Sequence, residues 1–236
     1  MKMDYLYLDR NIEKIKKRIR AAAERCGRNA DEITFLAAIK SADVGEINYI
    51  HSVLGISEVG ENRVQQLIER YDKLDGVGKG LKMHFIGSLQ TNKVKYIIDK
   101  VDLIHSLDSD RLAAEIDKQA RKRDLVANVL VEINSGNEES KGGIEPEQAA
   151  EFCLALAKYK NIKLCGFMTM APRCENKSDY YGYFKAVKKL SDKIWHDVLC
   201  YDGEPVISMG MSESFEEAIE CGATMVRVGR QCFAKD

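Results

Sequence analysis

Ile33-Thr-Phe-Leu-Ala-Ala-Ile-Lys40 is an apolar run about as long as one buried strand, and it ends on a lysine. Ser41-Ala42-Asp43 follows as a helix entry. Lysine is rarely buried unless something occupies its amine. Two readings of Lys40 are therefore open. In one, the side chain leaves a strand end and snorkels into water. In the other, the amine stands in a dry mouth, where desolvation favours its neutral, nucleophilic form and a Schiff base can form.

The pattern around that run repeats. Strand-like runs recur at Ile56–Val59, Met83–Ile86, Leu103–Leu107, Ala127–Ile133, Lys163–Thr169, Val206–Met209 and Met225–Val228. Helix-spaced apolar residues separate them: Ile47, Ile50 and Leu54 after the first run, and Val94, Ile97, Ile98 and Val101 after the third. Ser109-Asp110 caps the helix after the fourth, and Pro146 is placed early in the helix after the fifth. A long helix through Phe184 and Ile194 follows the sixth, and Gly210-Met211-Ser212 opens one through Phe215 and Ile219 after the seventh. Asp4 to Cys26 precedes everything as an amphipathic helix striped by Ile12, Ile15, Ile19 and Ala22. Its basic residues read as a solvated face.

Eight strands alternating with helices imply a parallel sheet, and that count predicts closure into a (β/α)8 TIM barrel with an extra N-terminal helix. Short links and only three prolines predict a single domain over residues 1–236. The rival is an open doubly wound sheet. That fold favours a glycine-rich fingerprint after its first strand, where this chain has Lys-Ser-Ala-Asp. Gly76, Gly78 and Gly80 precede a strand, the wrong side for a phosphate-cradling loop.

Bulk composition narrows the function. A net charge of -1 with 31% charged residues calls for neither nucleic acid nor an anionic membrane. The charged N-terminus is no signal peptide, and no apolar run reaches the length of a membrane span. A cytoplasmic location is the expectation. Seven scattered cysteines, none in CxxC spacing, read as reduced thiols; Cys153, Cys165 and Cys221 fall on apparent core faces. The four histidines show no metal-ligand spacing.

In a barrel, sites form where strands hand over to the following helices. Those handovers collect Lys40; Glu61, Asn62 and Arg63; His84 and Gly87-Ser88; His105, Ser106 and Asp108; Asn134 and Ser135; Met168 and Thr169; Ser208 and Ser212; and Arg227, Gly229 and Arg230. Ser208-Met-Gly-Met-Ser212 reads as a strand end entering a helix N-terminus, which suits an anion, and Gly229-Arg230 adds backbone and a cation. The alternative is that Gly210 and Gly229 only relieve crowding. Arg227 shares a strand face with Gly229 and could lie inside the barrel, where a heterocyclic nitrogen would serve as acceptor. An amine, a phosphate cradle and an arginine between them point to pyridoxal phosphate. His84 and His105 read at least as well as core residues.

Six motifs then carry a resemblance over nearly the whole chain: Gly60–Gln65, His84–Lys93, Glu138–Gly142, Gly166–Thr169, Ser208–Ser212 and Met225–Arg230. The sequence resembles the YggS/PROSC family of pyridoxal phosphate homeostasis proteins, which look like the barrel domain of alanine racemase. The resemblance implies that Lys40 holds pyridoxal 5'-phosphate as an internal aldimine, and that Ser212, Gly229 and Arg230 hold its phosphate. It implies that Arg227 faces the pyridine nitrogen while Asn62, His84 and Met211 line the pocket. It also implies a carrier or regulator in vitamin B6 and amino-acid balance; a monomer, with apo pyridoxal phosphate enzymes as partners, is the expectation. One departure stands out: the family's second lysine and proline are replaced by Ala42 and Asp43.

Two functions from different classes follow, a cofactor-binding protein and a small pyridoxal phosphate enzyme such as an amino-acid racemase. Arginine opposite the pyridine nitrogen weakens the ring as an electron sink. A racemase also needs a base on each face of the substrate carbon, and Lys40 serves only one. With the sequence ending at Asp236, a second base is expected only from self-association. The loop Asn134 to Gly143 is expected to be mobile without cofactor.

Overall fold

The computed structural model describes residues 5–136 and 142–235. The first strand, β1 (Thr34–Ala38), pairs on one side with β2 (Glu58–Glu61) and on the other with β8 (Met225–Val228), all parallel. Between them run β3 (Lys82–Phe85), β4 (Leu103–Leu107), β5 (Ala127–Ile133), β6 (Ile162–Thr169) and β7 (Val206–Ser208), so that eight strands close in sequence order. The closed parallel barrel confirms the fold expected from the alternation and excludes the open sheet. Registers of β4 on β5 and of β5 on β6 shift once each, at Ile104/Leu107 and Val129/Leu130.

Strand alternation sorts residues between two cores. Outward-facing side chains such as Ala37, Val59, Phe85, Val131, Phe167 and Val228 pack under the helices. Inward-facing Leu36, Leu103, Leu130, Met168 and Met225 form a separate small apolar cluster inside the barrel. Each polar residue sharing the inward face must find a partner there.

The helices are α1 (Leu6–Arg25), α2 (Val44–Ser52), α3 (Val64–Tyr71), α4 (Asp110–Arg121), α5 (Ala149–Ala155), α6 (Lys177–Asp192) and α7 (Phe215–Glu220). Ser109 caps α4 as expected, accepting from Leu112 N–H. Three expectations change. The segment after β3 is a 3-10 helix, Thr91–Tyr96, not an α-helix. Pro146 lies in a turn ahead of α5 rather than in its first turn. α7 begins only at Phe215 and is six residues long, because Met211–Ser214 is folded as a turn: Ser214 N–H donates to Met211 O and Met211 N–H to Ser214 Oγ. α6 continues into a π-helical turn, Lys193–Val198, which buries Ile194 and Trp195.

α1 lies against α7 and the C-terminal segment. Arg18 pairs bidentately with Glu216 and also donates to Gln231 Oε1 at 2.7 Å. Asn11 Nδ2 donates to the carbonyls of Cys232 and Ala234. Among the described residues no helix is long and apolar enough to cross a membrane. All seven cysteines are free thiols. Cys153 and Cys221 are buried, as is Cys232, while Cys165 is only half-buried.

Candidate functional site

Lys40 stands two residues beyond the end of β1 and is exposed. Of the two readings of Lys40, the strand end that reaches water fits this structure, because the strand stops before the lysine and releases it to the rim. Ala42 is buried behind it. Asp43 caps α2: its Oδ1 accepts from Glu46 N–H while Glu46 Oε2 accepts from Asp43 N–H. The residue standing in place of the family's proline thus starts the helix by a capping box. Glu46 is in turn held by the Tyr7 hydroxyl and by Lys235 Nζ at 3.0 Å.

Pairing places four handovers side by side. Ala37 is opposite Val228, so Lys40 and Gly229-Arg230 leave adjacent strands. Ala38 is opposite Gly60, which brings Asn62 to the other flank. On the far side of β8, Arg227 N–H donates to Gly210 O, drawing the Gly210–Ser212 turn against it. A Cβ on Gly229 would meet Ala38 O at 2.7 Å, so only glycine lets these strand ends approach so closely. Gly210 has φ +85 and backs onto Ala218, which makes the turn after β7 possible.

The arc so formed carries unused donors. Among the described residues the main-chain N–H groups of Ser212, Gly229 and Arg230 donate to no protein acceptor. Gln231 Nε2 donates to Ser212 O at 2.7 Å and steadies the turn. Arg230 is exposed and pairs with Glu213 at 2.7 Å, and Met211 is also exposed. Asn62 Oδ1 is buried without a hydrogen-bond partner. The anion-binding character expected of this region is thus carried by turns, since α7 is too short and starts too late to supply its N-terminus.

Beneath the arc, Arg227 is buried in the barrel. Its Nη1 donates to Ser208 O and Oγ, both at 2.7 Å, and its Nη2 to Thr169 O at 3.0 Å. Guanidinium has five donors, so two remain beyond these three bonds. Burial lowers its pKa to about 10, opposed by Glu132 across the barrel. Glu132 is itself buried, and desolvation, with Asp108 adding to it against the pull of Arg227, raises its pKa to about 7. Ser208 Oγ lies 3.1 Å from His105 Nδ1, whose Nε2 lies 2.9 Å from His84 Nδ1. His84 Nε2 is 2.5 Å from Glu58 Oε2, a close contact off the direction of a hydrogen bond.

The structure therefore gathers Lys40, Asn62, Ser212, Gly229 and Arg230 at the rim, and sets Arg227 and His84 below. Both nitrogens of His84 are turned to Glu58 and His105, which leaves only ring carbons for a ligand. Glu61 serves the scaffold: it accepts from Asn62 and Arg63 N–H groups and pairs with Arg70 at 2.8 Å. Thr169 Oγ1 donates within its own layer, to Ile133 O or Ser135 Oγ, both at 2.9 Å. Glu58 and Glu132 were not singled out by sequence reading; their signal was a charge at an inward position of a barrel strand. Residues 137–141, with most of the Glu138–Gly142 motif and the centre of the expected Asn134–Gly143 lid, lie outside the described residues. One group of possible metal donors comes together among the described residues, Asp192, His196 and Glu204, partly exposed and with Asp192 already held by Lys188.

The model of the alanine racemase N-terminal domain matches residues 10–234. The chain belongs to that family. Within it, a pyridoxal phosphate homeostasis protein of Aquifex aeolicus is 42% identical, over 95% of this chain and 96% of its own. A solved structure of an unknown protein from Bifidobacterium adolescentis superposes with a TM-score of 0.89 at 32% identity, covering 98% of this chain and 97% of that one. PipY of Synechococcus elongatus, solved without pyridoxal phosphate, gives 0.80 at 25%, covering 92% and 99%; its pyridoxal phosphate-bound structure gives 0.77 at 24% over the same shares. The family match thus covers nearly the whole of this chain.

Proposed function

We propose that this chain binds pyridoxal 5'-phosphate on Lys40 and serves intracellular vitamin B6 homeostasis, as the naming of its Aquifex aeolicus relative supports. The observation that carries the reading is the arc over β7, β8 and β1. There an exposed amine shares a rim with the unused N–H groups of Ser212, Gly229 and Arg230. The residues fit the group. Three main-chain donors and a guanidinium suit a phosphate dianion. Lys40 can condense with an aldehyde, forming C=N and releasing water. Arg227 would offer one of its remaining donors to a pyridine nitrogen, and Asn62 and Met211 border the space, with His84 beneath. When bound, the group would supply a conjugated ring able to take electrons from an attached amine.

A carrier role fits this chain better than turnover. Arg227 donates and does not accept, so it leaves a ring nitrogen unprotonated. The reading is of one domain acting as a monomer in the cytoplasm, handing cofactor to apo enzymes. Exposure of Lys40 suits that role, since a cofactor that is to be passed on must be reachable. Titration with pyridoxal 5'-phosphate, borohydride reduction and mass mapping test the reading. A reduced adduct on Lys40 is expected; none after saturation would overturn it. Exchange of an amino acid's α-proton in deuterated water, dependent on Lys40, would favour the racemase instead.

A further inference from the structure

We propose that His84, His105 and Ser208 form a hydrogen-bonded row, with Glu58 in close contact at its outer end, that positions Arg227 and carries a change of protonation from the N-terminal mouth of the barrel to the site at the other mouth. What Arg227 does there rests on the cofactor reading above; the row itself does not.

The contacts already described run Glu58 Oε2, His84, His105, Ser208 Oγ, Arg227, across strands β2, β3, β4, β7 and β8. His84, His105, Ser208 and Arg227 are all buried, so each polar atom depends on its neighbour in the row. Glu58 is at the outer end. It borders a cavity of about 530 Å³ at the N-terminal mouth, also lined by Thr34, Phe35, Ile56 and Ser57.

One direction of the row leaves no buried donor unspent. Arg227 can only donate, so Ser208 Oγ accepts from it. The Ser208 O–H is then free to donate to His105 Nδ1. That places the His105 proton on Nε2, from which it donates to His84 Nδ1. His84 must then carry its proton on Nε2, facing the Glu58 carboxylate. In this state each ring carries one proton, and every hydrogen bond points from Arg227 toward His84, whose Nε2 lies beside Glu58 Oε2.

One added proton reverses it. If His84 is protonated at Nδ1 as well, it donates to His105 Nε2, and the His105 proton moves to Nδ1. His105 then donates to Ser208 Oγ, which now accepts twice, and the Ser208 O–H is released from the row. The charge gained sits on His84, beside Glu58, while the altered hydroxyl sits under Arg227. The event is a proton gained from solvent at one mouth and a hydroxyl reoriented at the other, with no bond broken other than N–H and O–H.

The groups facing the row support this division. Lys82 Nζ pairs with Glu58 Oε1 at 3.0 Å, and Asp102 lies near Lys82. Burial raises the Glu58 carboxyl, but His84 and Lys82 outweigh it and hold it below the usual range. Burial, His84 and Arg227 hold His105 well below the ordinary imidazole range, so the charge is excluded there. Glu132 faces Arg227 from β5, and Asp108 stands behind Glu132.

The test uses protein labelled with 15N in histidine, whose ring shifts distinguish the two tautomers, read across pH without cofactor. At alkaline pH both His84 and His105 are expected as Nε2–H tautomers. As His84 takes its second proton, His105 is expected to switch to Nδ1–H at the same midpoint. A His105 tautomer that does not change while His84 titrates would overturn the row. Glu58→Gln keeps the shape and removes the carboxylate charge, and is expected to move the shared midpoint down by about one pH unit or more. An unmoved midpoint would also overturn it. In protein loaded with pyridoxal 5'-phosphate, the midpoint of the visible absorbance change should shift in parallel in Glu58→Gln, and Glu58→Asp should restore it in part. A carboxylate that is merely structural would leave that spectrum unmoved. Absence of any adduct on Lys40 would sink the proposed function alone, since the tautomer measurement needs no cofactor.

Discussion

At the C-terminal rim, Lys40 is exposed and the N–H groups of Ser212, Gly229 and Arg230 are unspent. One layer lower, Arg227 spends three donors on Ser208 and Thr169, and His105 is bonded on both ring nitrogens. The two layers share the same strands and differ in their spent donors and in the exposure of Lys40 and Arg230. The side chains of Lys40, Met211 and Arg230 reach solvent, so these rim residues can be specialised for binding with little effect on folding. The inner layer has only protein partners, so each side chain there is tied to stability as well as to any role above it.

The contrast is sharpest at Arg227. Arg227→Met should cost about 3 kcal/mol or more of stability, since it strands the carbonyls of Ser208 and Thr169. Urea unfolding measures it, and a loss below 1 kcal/mol would erase the difference between the layers, on the ordinary scale for surface changes.

Glu132 gives a pH signature of the same layer. Its folded pKa, about 7, lies above the ordinary carboxylate value of 4.5. The stability linked to its protonated form is fully present below the unfolded value and is lost as pH rises through about 7. The loss is of the order of ~3 kcal/mol. Glu132→Gln should therefore be more stable than the parent at pH 8 and little different at pH 4. Equal pH slopes for the two proteins would show Glu132 ionising normally.

Asp43 stands between the layers, on the rim but within a cap. Asp43→Ala should cost about 1 kcal/mol through the lost capping box, with Lys40 still able to form its adduct. Thermal unfolding and borohydride trapping read the two effects separately. Lys40→Ala closes the series: covalent loading should vanish while stability changes by no more than about 0.5 kcal/mol. A large stability loss there would place Lys40 in the inner layer after all.

The barrel was legible because its strands alternate with helices at a spacing that few other folds share. β4, β5 and β8 match the expected residues, and the others differ by a few at their ends. The rim was legible too, since strand ends can be read off and glycines mark close approach. The inner layer was less so. Glu132, within Val-Leu-Val-Glu-Ile, reads locally like any solvent-facing residue of an alternating strand. Only closure of the sheet turns that face inward. His84 and His105 were noticed, but their partners come from strands distant in sequence. α7 was overestimated because Gly210-Met211-Ser212 carries the residue types of a helix entry, while Ser214 turns the chain back onto Met211 first.

The clasp between α1 and the C-terminal segment has a consequence for the order of events during synthesis. Asn11 and Arg18 hold the carbonyls of Cys232 and Ala234 and the side chain of Gln231, more than two hundred residues later in the chain. A nascent chain that has emitted Lys40 still lacks strand eight and the Gly229-Arg230 turn. The amine exists long before its cradle. Retention of a phosphorylated aldehyde would then report that translation has run through strand eight, and a stalled ribosome would leave a lysine with nothing beside it to hold the phosphate.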